Sequence, residues 1–542
     1  MNTTAHKSRH FVRPRRMSEL WLPEAQNGIR LLSDAHVGLQ QFHLNEVAGA
    51  IWGLCDGTLT VAEIARVIAS KCEGPTPPHD AVAEDVLGLL DGLRAEGLIT
   101  WSEGEEVDVL LVVPPAPSVY AADAVQTPEY SAPPLGMCYI AAVLREHDLR
   151  VAILDLHQMA GLPEHVVSAC RQRSPAIVGV TASTPSYPNA QAVARFVKAW
   201  RKECVTVLGG PHATGAPRDC VLSGAFDFVC VGEGENAMLD LAQALLKGKG
   251  DPYAVPGFRF TGPQGNVGQT PPRPQIAHLD DLPFPARDLI QLDSYYQKGS
   301  LVSSRGCPIG CDFCACAAIV GRSYRVHSIP RVLDEMEDMI QRYNYRHFDF
   351  HDDTFNLRRN RVFQFCRGIK ERELDVEWGC FCRAAGFTAE MAKEMASAGC
   401  RVVQFGVESG NDAVLKSLDK ATSTVQVEAA IRAAAKAGIR QIACGFIIGH
   451  PNDTVESVWD TIRFGLHLRD LGATRLTLSL MTPYPGTPIY DNREEFGITL
   501  LTNDWEKYTF SRVVMQTARL DRENLRSLYV EGLTRFLDSA PR

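Results

Sequence analysis

Arg305-Gly306-Cys307-Pro308-Ile309-Gly310-Cys311-Asp312-Phe313-Cys314 sets three thiols at C-x3-C-x2-C spacing on a glycine-bearing loop. Three thiolates so spaced can each hold one iron of a cubane iron–sulfur cluster. The fourth iron then has no nearby protein ligand and is open to a small molecule. Zinc is the competing reading, but structural zinc sites pair two C-x2-C knuckles, or one knuckle with two histidines. No second knuckle follows, and Cys316 makes only a C-x-C with Cys314. Metal ligands are therefore expected at Cys307, Cys311 and Cys314, with Cys316 packed locally.

The run resembles the signature of the radical S-adenosylmethionine (radical SAM) family, including the aromatic Phe313 before the last cysteine. The resemblance implies a [4Fe–4S] cluster whose open iron chelates SAM next to Phe313, and a 5′-deoxyadenosyl radical once SAM is reductively cleaved. The downstream pattern agrees. Strands recur near Leu301–Ser304, His347–Phe350, Val376–Cys382, Arg401–Glu408, Gln441–Gly449 and Leu476–Met481. These units fit the partial (β/α)6 barrel of that family over residues 301–490, with chemistry at the carboxyl ends of the strands.

By the same resemblance, Asp352 and Asp353 after the second strand approach the SAM amino group, or else cap the next helix. Glu408 and Ser409 after the fourth approach the ribose, and Gly445-x-Ile447-x-Gly449 on the fifth flanks the adenine. Thr482-Pro483-Tyr484-Pro485-Gly486-Thr487-Pro488 resembles a run of the cobalamin-dependent subgroup. Tyr484 is then a candidate to face substrate, with a structural turn as the alternative. Cys380 and Cys382 alternate onto one face. Cys382 is a candidate hydrogen donor or metal ligand if that face lines the barrel; otherwise both cysteines pack against helices.

Upstream, residues 103–250 alternate apolar strands with helices, as in a doubly wound parallel sheet. Such sheets bind ligands outside their carboxyl ends. Those ends carry Thr181, Ser183, Gly209-Gly210-Pro211-His212 and Gly232-Glu233-Gly234-Glu235. The pattern is similar to the Rossmann-like cobalamin-binding domain fused to many radical SAM enzymes. It implies that these residues cradle the cobalamin tail, with glycines allowing close backbone approach. Asp155-Leu156-His157-Gln158-Met159-Ala160-Gly161 nearly spells the D-x-H-x-x-G of cobalt-ligating histidines. It follows the second strand rather than the first, and its glycine is one place late, so no histidine is expected on cobalt. Residues 251–300 read as a proline-rich linker.

Residues 29–102 read as a winged-helix-like module. Thr60 and Glu63 open its second helix as a capping box, and Val82, Val86, Leu89, Leu90 and Leu93 share a face of its third. Leu44-Asn45-Glu46-Val47-Ala48, Ile51-Trp52, Asp56-Gly57 and Thr60 to Ile64 resemble the PqqD-like fold. That resemblance implies a precursor-peptide leader docked as an added strand. A DNA reader would need a basic third helix, but Asp80, Glu84, Asp85, Asp91 and Glu96 stand there against Arg94. Residues 1–28 are basic, with Arg13, Arg15 and Arg16 and no apolar run after them, and read as a disordered tail rather than an export signal. Residues 491–542 read as a helical cap.

The 542 residues require several domains. A net charge of −9 lacks the basic footprint of a nucleic-acid binder, and no apolar run spans a bilayer. Sixteen scattered cysteines fit a reducing cytoplasm better than a disulfide framework. The reading is thus an α/β multidomain enzyme with a [4Fe–4S] cluster, SAM and methylcobalamin as cofactors, resembling the class B methylases. C-methylation of a precursor peptide is the expected reaction, with flavodoxin or ferredoxin as reductant and neither nucleic acid nor membrane as partner. Cyclisation or rearrangement without methyl transfer, and action on a small-molecule intermediate, remain alternatives. A cobalamin-sensing regulator would not need the intact cysteine triad.

Overall fold

The computed structural model describes residues 106–116, 132–156, 164–262 and 265–539, together with separate strand and helix positions between 13 and 102. His157 and residues 117–131 lie outside the described residues.

The first large sheet is built on Val109–Val113 (β1), an apolar run whose alternate residues serve two cores. Val109 and Leu111 pack under helices Leu135–Glu146 (α1) and Glu235–Lys247 (α2). Leu110 and Val112 pack under helices Glu164–Arg173 and Tyr187–Trp200. Burial on both faces is why these strands read as near-continuous hydrophobic runs. The partners are Val151–Asp155 (β2), Ile177–Thr181 (β3), Val205–Gly209 (β4) and Phe228–Cys230 (β5). They lie parallel in the order β2-β1-β3-β4-β5. Phe258–Thr261 (β6) and Val267–Gln269 (β7) then extend the sheet antiparallel. Part of the stretch read as a linker is therefore sheet edge.

The second sheet carries Ser300–Leu301 (β8), His347–Phe350 (β9), Glu377–Cys382 (β10), Cys400–Glu408 (β11), Gln441–Ile448 (β12) and Arg475–Leu480 (β13). All are parallel and adjacent in chain order, the expected partial barrel. Phe350 and Trp378 lie 5.2 Å each from Phe365 of helix Arg359–Glu371. Strand alternation turns Asp349 and His351 the other way. The terminal segment is a hairpin, Ile498–Leu500 with Met515–Thr517, followed by helix Arg522–Asp538 on β13.

In the N-terminal region Trp21–Leu22, Ile29–Ser33 and Gln40–Leu44 form one antiparallel sheet, and Arg13–Arg16 pairs with Ile99–Ser102. The stretch read as a disordered tail thus contributes strands. Helical Ile51, Ile64, Ala65, Val86 and Leu90 are buried. No helix among the described residues is long and apolar enough to cross a membrane.

Candidate active site

Ser304–Arg305 pairs antiparallel with Arg325–Val326, and this ribbon presents the cysteine loop. Gly306 turns the chain into the loop at φ 88°, and a Cβ there would stand 2.3 Å from the Ser323 carbonyl oxygen. Only glycine fits. Cys307 Sγ lies 3.6 Å from Thr354 Oγ1, and Cys311 Sγ lies 3.9 Å from the Asp419 carbonyl. All three cysteines are half-buried free thiols. Burial pushes Cys311 up to about 11, and the neighbouring Cys314 and Cys307 push the same way. Burial also raises Cys314.

Among the described residues no three His, Cys, Asp or Glu side chains close on a single metal ion. The three thiols are mutual neighbours without sharing one ion's shell, which fits one cysteine per corner of a cubane. Ligation by iron would supply the positive charge that deprotonates them. Cys316 neighbours Cys314 and Cys307 but is engaged by Asp353: burial, then the Asp353 charge and a hydrogen bond to it, raise its thiol.

The residues expected around SAM divide into two sets. Asp352 is buried, with its oxygens taken by the Ser303 amide and hydroxyl at 2.6 Å each and by the Ser304 amide and hydroxyl at 3.1 and 2.7 Å. It braces the strand leading into the cysteine loop. Ser409 is likewise committed, with its Oγ 3.1 Å from Thr461 Oγ1 and accepting from the Asn411 amide. Gly449 turns at φ 90° and donates its N–H to Asp453. Phe313 and Ile447 pack beside Met481. Gly445 keeps its side-chain position clear to 3.6 Å.

Glu408, held at φ 68°, accepts from Lys420 Nζ at 2.6 Å. Lys420 is a functional candidate that sequence reasoning missed. Burial works against its charge, but Glu408 and then Cys311 hold it above the ordinary lysine value. A lone lysine in a loop after a six-residue helix gives no local signal.

A cavity of 470 Å³ joins the carboxyl ends of both sheets. Thr181, Gly209, Gly210, Gly232, Glu233, Gly234 and Glu235 line one side, while Val302, Ser304, Arg305, His351 and Asp353 line the other. Gly136, Gly209 and Gly232 have no atom within 4 Å of where a Cβ would stand, so side chains there would fill the cradle. Gly179, in mid-strand, would press a Cβ to 2.9 Å from Leu111 and close to Met238. A glycine inside an apolar strand was the available signal for this deep end. The apolar depth, with Leu111, Ile140, Met238 and Phe258, suits the tail of a cobalamin.

Three expected cobalamin residues stand elsewhere. Ser183 and Pro211 are exposed and off the cavity wall. His212 is buried, with Nδ1 3.2 Å from Thr184 Oγ1. Nor do Glu233 and Glu235 point only at a ligand. Arg305 donates to both, at 2.8 and 2.7 Å, and Arg325 donates to Glu233 at 2.7 Å.

The two catalytic candidates are placed structurally. Tyr484 donates its hydroxyl to the Tyr508 carbonyl at 3.0 Å, and its loop abuts the first sheet where Gly215 meets Pro485. Cys382 is buried in the barrel's outer core, its Sγ 3.5 Å from that of Cys380 and in one cluster with Cys366 and Cys400. Period-2 alternation put the pair on one face; that face meets helices.

Three family models match the chain: the radical SAM superfamily over residues 301–465, the B12 binding domain over 122–242, and coenzyme PQQ synthesis protein D (PqqD) over 36–99. The uncharacterized methyltransferase PH0819 of Pyrococcus horikoshii is 34% identical over 79% of this chain and 92% of its own. The anaerobic magnesium-protoporphyrin IX monomethyl ester cyclase of Rubrivivax gelatinosus is 28% identical over 74% of this chain and 73% of its own. The structure of the radical SAM methyltransferase TsrM from Kitasatospora setae shares the fold at TM-score 0.62, 19% identity, and 80% and 89% coverage of the two chains. The cobalamin-dependent radical enzyme OxsB does so at 0.58 and 17%, over 96% and 71%. The chain belongs to the radical SAM superfamily, in the branch that carries a cobalamin-binding domain. Its cofactors are a [4Fe–4S] cluster, SAM and cobalamin.

Proposed function

We propose that this enzyme transfers a methyl group to an unactivated carbon of a precursor peptide whose leader docks on the N-terminal module. The observation that carries the methyl-transfer reading is one shared cavity, on which the glycine cradle of the first sheet and the mouth of the second both open. Bound there, the cofactors supply hydrogen-atom abstraction and methyl delivery. The chain itself positions and shields. Cys307, Cys311 and Cys314 would hold the irons. Glu408 and Lys420 offer a paired anion and cation beside them for the polar ends of SAM. Asp352 fixes Ser303 and Ser304, so the loop begins from a rigid strand. At the far end of the cavity, apolar walls at Leu111, Ile140 and Met238 would enclose the cobalamin tail away from water.

The PqqD match supports the peptide reading, and methyltransferase-named relatives support the reaction. Cyclisation is the second reading, favoured by the cyclase relative. Anaerobically reconstituted enzyme, given hydroxocobalamin, SAM, a flavodoxin or dithionite reductant and candidate peptides with and without leaders, distinguishes them by mass. A gain of one CH2 per turnover, dependent on the leader, is expected. Loss of two hydrogens would replace methylation by cyclisation. Equal rates without the leader would remove the docking role.

A further inference from the structure

His351 stands on the barrel side of the shared cavity, two residues before Asp353 on the same strand face. Its Nε2 lies 3.0 Å from Ser300 Oγ. A serine hydroxyl has one proton, and that of Ser300 is committed to the Gln297 carbonyl at 2.7 Å. A carbonyl only accepts, so Ser300 Oγ must accept from His351, and the ring carries its proton on Nε2. Burial holds the imidazole below the ordinary histidine value, which keeps it neutral near pH 7. Nδ1 is then a bare acceptor.

The other barrel-side polar groups on this wall are already engaged. Ser304 donates to Asp352, Arg305 is forked onto Glu233 and Glu235, and Asp353 accepts from the Gly306 amide. Among the described residues, His351 Nδ1 has no protein donor. A corrin carries carboxamide side chains, and each presents N–H donors around the ring edge.

We infer that His351 Nδ1 accepts a hydrogen bond from a side-chain amide of the corrin held in this cavity. The inference rests on reading the cavity as the cobalamin seat. It makes His351 a binding residue on the wall opposite the glycine cradle. No local pattern beyond its place before Asp352-Asp353 marks it in the sequence.

Asparagine places an acceptor oxygen where Nδ1 stands, whereas glutamine places a donor where Nε2 stands. Full-length protein with its cluster reconstituted is titrated with hydroxocobalamin, without SAM or peptide, and followed by visible absorbance. His351→Gln is expected to weaken binding by about fivefold to tenfold, the worth of one neutral hydrogen bond. His351→Asn is expected to stay within about twofold of wild type on the same reasoning. Retention by Gln with loss in Asn would overturn the inference, because the tie to Ser300 would then be what matters. Wild-type affinity in both, or equal loss in both, would overturn it as well. Should the Gln variant fail to fold, His351→Leu, which has neither ring nitrogen, takes its place beside Asn: loss in Leu with retention in Asn is expected, and retention in both would overturn the inference. If wild-type protein takes up no hydroxocobalamin, the reading of the cavity fails before that of His351 is reached.

Discussion

Arg305 and Glu235 meet across the boundary between the two sheets, with a guanidinium nitrogen 2.7 Å from Oε1 and both side chains largely buried. Arg305 lies two residues before Cys307, and Glu235 opens the helix that follows the fifth strand of the first sheet. One side chain therefore registers the cysteine loop against the glycine cradle. Its second arm reaches Glu233, which Arg325 also holds. Arg305→Ala would strand Glu235 as a buried carboxylate, at a cost of about 3–5 kcal/mol. Arg305→Lys offers one point charge where a planar fork bridged two carboxylates, and should recover only part of the loss. Urea unfolding gives the stability, and visible absorbance gives cobalamin retained after gel filtration. Both should fall in the order wild type, Lys, Ala. Wild-type cobalamin retention in Arg305→Ala would show that the fork does not register the two sites.

The same pair marks where sequence reasoning stopped. Strands such as Val109–Val113 were legible because burial on both faces writes an unbroken apolar run. The cysteine triad was legible because its spacing is local. The direction in which Glu233 and Glu235 point was not, since their partners lie some seventy residues onward. Asp352 stood open between a place near SAM and a helix cap because nothing local reveals the Ser303 and Ser304 donors. The edge strands Phe258–Thr261 and Val267–Gln269 were hidden among prolines, half-exposed and without a two-faced core to impose a pattern.

Gly215 offers a second test of domain registry. A Cβ there would stand 2.3 Å from the Pro485 carbonyl oxygen, and one on Gly486 would stand 3.0 Å from Gly215 Cα. The Thr482–Pro488 run thus docks backbone to backbone on the first sheet's short helix Pro211–Gly215. Gly215→Ala must push the loop away, an overpacking cost of about 1–3 kcal/mol. Methyl transfer should fall more than SAM cleavage, because the Ile489 amide still ties the far end of the run to the Asp312 carbonyl of the cysteine loop at 3.3 Å. Equal losses in 5′-deoxyadenosine and methylated product would refute that division.

Tyr484→Phe removes the hydroxyl donated to Tyr508 O and nothing at the cavity wall. The expected cost is about 1 kcal/mol of stability. Product per 5′-deoxyadenosine should be unchanged, as measured by chromatography of quenched reactions. A large loss of product with unchanged stability would restore Tyr484 as a residue that touches substrate.

His212 supplies a pH test. Its ring is buried between Tyr187 at 4.2 Å and Trp505 at 5.2 Å, so it joins the terminal segment to the first sheet. Burial brings its value down to about 4. The unfolded chain's imidazole takes its proton near pH 6.5. Between those limits the unfolded state binds a proton that the folded state refuses, so stability falls as pH falls. His212 withholds nothing above about pH 6.5, and by pH 4 its contribution to the loss reaches ~3 kcal/mol. His327, His351 and His450 share the direction, so the reading is a difference between proteins. His212→Gln cannot be protonated, and its urea midpoint should decline less steeply than wild type from pH 7 to pH 5. Parallel declines in the two proteins would mean that protonation of this ring is not what the buried aromatic contact resists.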